Sequence, residues 1–146
     1  MKRILLLMIS SLTLLGCAVE VQPIDFGKAQ CHFCQMTIVD RQHASQGVTK
    51  KGKQFQYDSI ECLVKELLKN GTESDFAILL VSDYGQSKMV SASQATYLIS
   101  DKIKSPMGEN LSAFEAKDKA EATRKEHGGS TYTWDGLKQR FSKDGP

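Results

Sequence analysis

The chain is short of net charge. It has 19 Lys and Arg against 17 Asp and Glu, and two of the basic residues, Lys2 and Arg3, open an apolar leader. Without residues 1–16 the two signs balance at 17 each. No Lys/Arg cluster alternates with aromatics, so nothing steers the protein to nucleic acid. The leader's apolar run, Ile4 to Leu15, is broken by Ser10, Ser11 and Thr13 and is too short for a confident membrane span. Cysteine is scarce as well: four in 146 residues, of which Cys31, Cys34 and Cys62 follow the leader's end. An odd count in an exported chain leaves at least one free thiol in a compartment where disulfides form. A thiol kept reduced there binds something or is buried.

What is present begins with that leader. A basic start, an apolar stretch and small residues read as a secretory signal over residues 1–16. Leu14-Leu15-Gly16-Cys17 resembles the lipobox of bacterial lipoproteins, which implies that Cys17 is acylated and heads the mature chain. Acyl chains anchor a protein to a membrane without crossing it. Ala18 and Val19 carry no retention-type Asp, which in that family points to the outer membrane, facing the periplasm. Residues 17–28 read as the lipidated N-terminus and a tether, punctuated by Pro23 and Gly27.

The densest chemistry lies just beyond, in Cys31-His32-Phe33-Cys34-Gln35-Met36. Thiolate and thioether donors select a soft ion such as Cu(I) over magnesium, calcium or manganese. Met36 counts against zinc, which is normally bound by Cys, His, Asp or Glu. Cys34 is the leading candidate ligand, since its thiolate supplies charge to a cation. Met36, two residues on, points to the same side if the segment is a strand. Met107 sits between Pro106 and Gly108 in a loop and is a candidate third ligand, or else a filler. Cys31 is a second thiolate, a resolving thiol or a disulfide partner. His32 and His43 read as surface histidines, and His127, ending a helix, as structural. Cys62 lies about 200° from the centre of its helix's apolar stripe and reads as a packing thiol.

Periodicity supplies the frame. Strands are expected at Met36–Asp40, Ser45–Lys50 and Gln54–Tyr57, the last two joined by a turn at Lys51–Lys53. Asp58-Ser59-Ile60-Glu61 has capping-box spacing, with Asp58 as the cap. Ile60, Leu63, Val64, Leu67 and Leu68 then form one helical stripe, stopped at Asn70-Gly71. Ala77–Val81 reads as a buried strand, returning as a hairpin at Lys88–Ala92. The pattern recurs with strands at Thr96–Ile99 and Leu111–Phe114, a helix over Lys117–His127, a strand at Ser130–Thr133 and a final helical turn or two over Trp134–Phe141. The fold class is therefore α+β, two strand–strand–helix–strand units in tandem sharing a small core. The expected lobes are residues 29–92, carrying the metal ligands, and 93–146.

Several motifs in order resemble the NosL family: Cys-x-x-Cys-x-Met after a lipobox, Tyr57-Asp58 opening a helix with Cys62, Ser105-Pro106-Met107-Gly108 with Ala113-Phe114, and Glu126-His127-Gly128-Gly129. That family comprises lipoprotein copper chaperones of nitrous oxide reductase maturation. The resemblance implies a Cu(I) carrier, not an enzyme, with the ligand motif centred on Cys34. It implies delivery to a membrane ABC-type assembly complex that passes copper to the copper–sulfur centre of nitrous oxide reductase. Two positions depart from the family pattern: Gln35 and Asn110 stand where glycine is usual. The alternatives are a thiol–disulfide oxidoreductase using Cys31-x-x-Cys34, disfavoured because strands rather than a helix are expected to follow, and a structural zinc module.

Overall fold

The computed structural model describes residues 19–143. The leader, the lipobox and Cys17 lie outside the described residues. Strands β1 (Ser45–Thr49), β2 (Gln54–Tyr57), β3 (Phe76–Ser82) and β4 (Met89–Ser91) form an antiparallel sheet in the order β2-β1-β3-β4. Strands β5 (Thr96–Ile99), β6 (Leu111–Phe114) and β7 (Ser130–Tyr132) form a second, in the order β6-β5-β7. The helices are α1 (Ile60–Asn70), α2 (Lys117–His127) and α3 (Trp134–Lys143).

The α+β class is as expected, and so is the duplication at the level of elements. In β1-β2-α1-β3 and again in β5-β6-α2-β7, a hairpin is followed by a helix and a third strand that pairs back on the first. The second and third strands of each unit both run opposite to the first, so they are parallel to one another. Parallel strands need a crossover, and a helix provides it.

Helix α1 shows why this sequence folds locally as it does. Ser59 is the N-cap, and its hydroxyl accepts a hydrogen bond from the Cys62 N–H at 3.2 Å. The cap thus falls one residue later than expected, which leaves Asp58 free for another role. Gly71, left-handed at φ 62°, closes the helix with its N–H on Leu67 O at 2.9 Å. Ile60, Leu63, Val64 and Leu67 are buried, each contributing ~1.5–3 kcal/mol of hydrophobic stabilisation. Leu68, from the same stripe, is 39% exposed. Glu61, Cys62 and Glu66 are buried too: β6 and α3 pack on the helix as well as its own sheet, Cys62 lies against Cys31, and Glu66 lies beside His32. One core runs through both units, joining Ile60 and Leu63 to Tyr97, Leu111, Trp134 and Leu137.

Three segments differ from expectation. Met36–Asp40 is not a strand; only Thr37 makes a bridge, to Gln30. β3 is half-buried rather than enclosed over most of its length. The stretch expected as a tether is docked from Glu20 onwards. There the Gln54 side chain donates to Glu20 O at 2.7 Å, and Ile24 enters the core.

Candidate metal centre

Residues 31–36 form a closed turn. Cys31 N–H donates to Met36 O at 2.8 Å, and Gln35 N–H donates back to Cys31 O at 2.9 Å. The reversal requires Gln35 to adopt a left-handed backbone, φ 65°, and its side chain secures the turn by donating to His32 O at 2.8 Å. This explains the absent strand: a left-handed residue turns the chain where an extended one would carry it on. The same turn leaves main-chain N–H groups directed at sulfur, that of Cys34 towards Cys31 and that of Met36 towards Cys34.

The start of α1 faces this turn. Asp58 and Cys62, four residues apart, bring a carboxylate and a third thiol to the first two. The ligand atoms of Cys31, Cys34, Asp58 and Cys62 all lie within 4.8 Å of one another. Cys31 and Cys62 are fully buried, Cys34 is half-buried, and all three are free thiols. Asp58 is 3% exposed, and its carboxylate lies against the Cys62 thiol. An open groove of about 400 Å³ runs alongside Cys31, lined by His32, Gln35, Phe55 and the side chains of Gln30, Gln54 and Gln56.

The thiols titrate as a linked set. Cys31 is held down to about 6, chiefly because Cys62 gives its sulfur a hydrogen bond, against the upward push of burial. Cys62, the donor in that pair, is raised, first by Cys31 and then by burial. Burial pushes Cys34 up to about 11, with the Cys31 sulfur adding to the rise and the Met36 N–H opposing it. At neutral pH the cluster therefore presents one thiolate, Cys31, stabilised by a neighbouring S–H. The other two thiols release protons only when something cationic arrives.

The predicted site residues divide accordingly. Cys31 and Cys34 are in the cluster. Met36, 53% exposed, stands on the outer side of the same turn. Met107 is half-buried against the main core, on a loop tied to α1 on either side of Cys62: Ser105 hydroxyl donates to Glu61, and Lys65 pairs with Glu109 at 3.0 Å. Cys62 is a cluster member, not the packing thiol expected, and Asp58 was taken for a cap. A usable signal existed: a carboxylate and a thiol flank the Ser59 cap closely in sequence, Asp58 just before it and Cys62 in the first helical turn. His32 is exposed as expected, with its ring edge-on to Phe55 and its Nε2 3.4 Å from Glu66. His43 is not a surface histidine. It is 2% exposed and bridges Asp40 at 2.8 Å and Ser112 at 3.3 Å. Asn110, like Gln35, is left-handed (φ 59°), so both positions where the family pattern has glycine adopt the backbone that glycine adopts most readily.

Fold and pocket together define an α+β protein built around a thiol cluster at the junction of a main-chain turn and a helix start. The NosL family pattern matches residues 23–142, and the chain belongs to the NosL family. The fold is similar to the crystal structure of the copper chaperone NosL from Shewanella denitrificans. The TM-score is 0.70 at 25% identity, covering 81% of this chain and 95% of that one. No curated sequence matches the chain.

Proposed function

We propose that the protein is a Cu(I) carrier that takes the ion up at the Cys31–Cys34–Cys62 cluster and delivers it for assembly of the copper–sulfur centre of nitrous oxide reductase. The observation that carries this reading is the convergence of three thiol sulfurs within 4.8 Å, two fully buried and one half-exposed beside an open methionine. Cu(I) is satisfied by two or three soft donors. Cys31 offers a ready thiolate, Cys34 and Cys62 lose their protons to solvent on binding, and Met36 supplies a neutral thioether at the exit. A partner thiolate or thioether approaching the turn meets Cys34 and Met36 first and removes the ion by stepwise ligand exchange. Membership of the NosL family and the likeness to a copper chaperone support the same assignment. Diacylation of Cys17 holds the carrier at the envelope membrane, facing the periplasm, within reach of an ABC-type assembly complex.

Competition against a Cu(I) chelator under strict anaerobiosis tests the assignment. Cys34→Ser and Cys62→Ser should each lower Cu(I) affinity by more than about 100-fold, beyond the loss typical of an outer-shell change. Met107→Ala should weaken binding less than either. Retention of wild-type affinity in both serine variants would sink the thiol cluster as the copper site. Cys17→Ser should leave the precursor unprocessed or release the protein from membranes.

A further inference from the structure

Residues 20–23 lie along the edge of β2. Pro23 O accepts the Gln56 side chain at 3.4 Å, Glu20 O accepts the Gln54 side chain at 2.7 Å, and the Gln22 N–H donates to Gln54 Oε1 at 3.3 Å. Followed back from Ile24 in the core, this segment runs towards the turn between β1 and β2. That turn carries three exposed lysines, Lys50, Lys51 and Lys53. Its backbone is fixed: Thr49 N–H donates to Lys53 O at 2.9 Å and Gly52 N–H to Thr49 O at 2.8 Å, with Gly52 left-handed at φ 82°. Lys53 Nζ stands over the Phe55 ring at 4.6 Å, and among the described residues no carboxylate is within ion-pair distance of the three. The acidic neighbours Glu20 and Asp75 are exposed and pair with none of them. Lys65, Lys88 and Lys138, by contrast, each hold a glutamate.

We infer that the Lys50–Lys51–Lys53 tip contacts the anionic headgroups of the bilayer that holds Cys17, and so sets which way the protein faces; this rests on the acylation of Cys17 proposed above. Two residues of chain span at most roughly 7 Å, so an acylated Cys17 keeps Val19 at the membrane surface. Gln54, which holds residues 20 and 22, directly follows Lys53. The tip is thereby kept close to the layer, about 8–10 Å deep at physiological salt, in which a charged surface acts. Three lysines are too few to hold a protein on a bilayer, but an anchored chain needs them only to choose the side that faces it. The attraction is about 5-fold per lysine, so about 100-fold in favour of the tip-down orientation. The thiol cluster lies at the other end of the same strand. β2 runs roughly 10 Å from Gln54 to Tyr57, and Asp58 and Cys62 follow it. With the tip down, the Cys31–Met36 turn is held off the bilayer and opens to the aqueous side.

Lysine footprinting on vesicles tests it. The mature protein is floated with vesicles of phosphatidylcholine alone, or of phosphatidylcholine and phosphatidylglycerol in equal parts, then treated with an amine-acetylating reagent and read by mass spectrometry. Lys104, beside the Ser105 that bonds Glu61 at the cluster end, is the internal reference. Relative to Lys104, Lys51 should react at least about 5-fold more slowly on the anionic vesicles than on the neutral ones. The difference should vanish near about 1 M salt, where screening shortens to about 3 Å. In Lys50→Gln/Lys53→Gln, with two of the three charges gone, protection of Lys51 should fall below about 2-fold. A cooperative melt shows that this variant folds. Flotation with the neutral vesicles reads the anchor alone. Protein that floats with them yet shows equal Lys51 reactivity on both overturns the lysine contact and leaves the anchor standing. Protein that does not float loses the anchor and this inference with it. Full protection of Lys51 in the double variant assigns the contact to the tether and overturns the role of the tip.

Discussion

Helices α1 and α2 hold the same place in their respective ββαβ units, yet α1 buries seven residues and α2 only Ala120. α1 begins on a Ser59 side-chain cap, whereas α2 begins at Ala116 with no side-chain cap bond. The two residues that give α1 its chemistry, Asp58 just before the cap and Cys62 at the third helical position, correspond to Glu115 and Lys119 at α2, both exposed. The shared connectivity therefore makes no site by itself. The first unit has one because its helix start is enclosed, by the Cys31–Met36 turn on one side and by the second unit on the other. Enclosure gathers a thiol and a carboxylate into a buried cluster, while an open helix start leaves charged side chains in water.

The largest expected effect breaks the second unit. Gly129 is left-handed at φ 100°, and a methyl there would lie 2.1 Å from Ile99 O, where β7 meets β5. Gly129→Ala should cost about 3 kcal/mol or more in denaturant unfolding. A loss below about 1 kcal/mol would mean that this junction relaxes easily.

An intermediate effect sharpens the contrast between helix starts. Ser59→Ala should destabilise by about 1–2 kcal/mol, while Ala116→Ser, at an extended residue (φ −103°, ψ 127°) suited to capping, should stabilise by about 0.5–1 kcal/mol. Thermal melts of both variants measure this, and equal losses would show that α2's exposed start gains nothing from a cap.

The smallest effect concerns the charge that α1 encloses. Burial raises the Glu61 carboxyl above its ordinary value of 4.5, opposed by the Ser105 hydroxyl. A raised folded-state value means that ionisation is harder in the fold. Stability is therefore greatest while the group is protonated, and it declines as pH climbs from the ordinary carboxyl range towards the raised one. Glu61→Gln should remove that decline and leave the protein as stable or up to about 1 kcal/mol more stable at neutral pH. A pH series of unfolding curves decides it, and an unchanged slope would show that Glu61 ionises freely.

Much of the frame was legible because it is written locally. The stripe from Ile60 to Leu67, the stop at Gly71 and the span of α2 all follow from periodicity and breakers, and the structure places them within a residue or two. The cluster was half legible. Cys31 and Cys34 declare themselves by spacing, but Cys62 was measured only against the apolar stripe of its own helix. What a helix's second face meets depends on a segment apart from it in the chain, here the turn at Cys31 and Cys34. His43 was misread for the same reason, since its partner Ser112 is 69 residues away. Met36 was given a strand because alternation cannot reveal that Gln35 is left-handed.

The Cys31–Met36 turn draws its order from main-chain hydrogen bonds at both ends, so the entropy of fixing two of the three thiols falls to the backbone and not to a bound ion. In small metal-dependent domains the binding free energy is also the folding free energy, and a chelator that takes the ion takes the structure with it. A turn held by its own backbone separates the two processes. Loading and unloading become substitution reactions on a standing scaffold, with rates set by how fast an incoming sulfur reaches the open side of the turn.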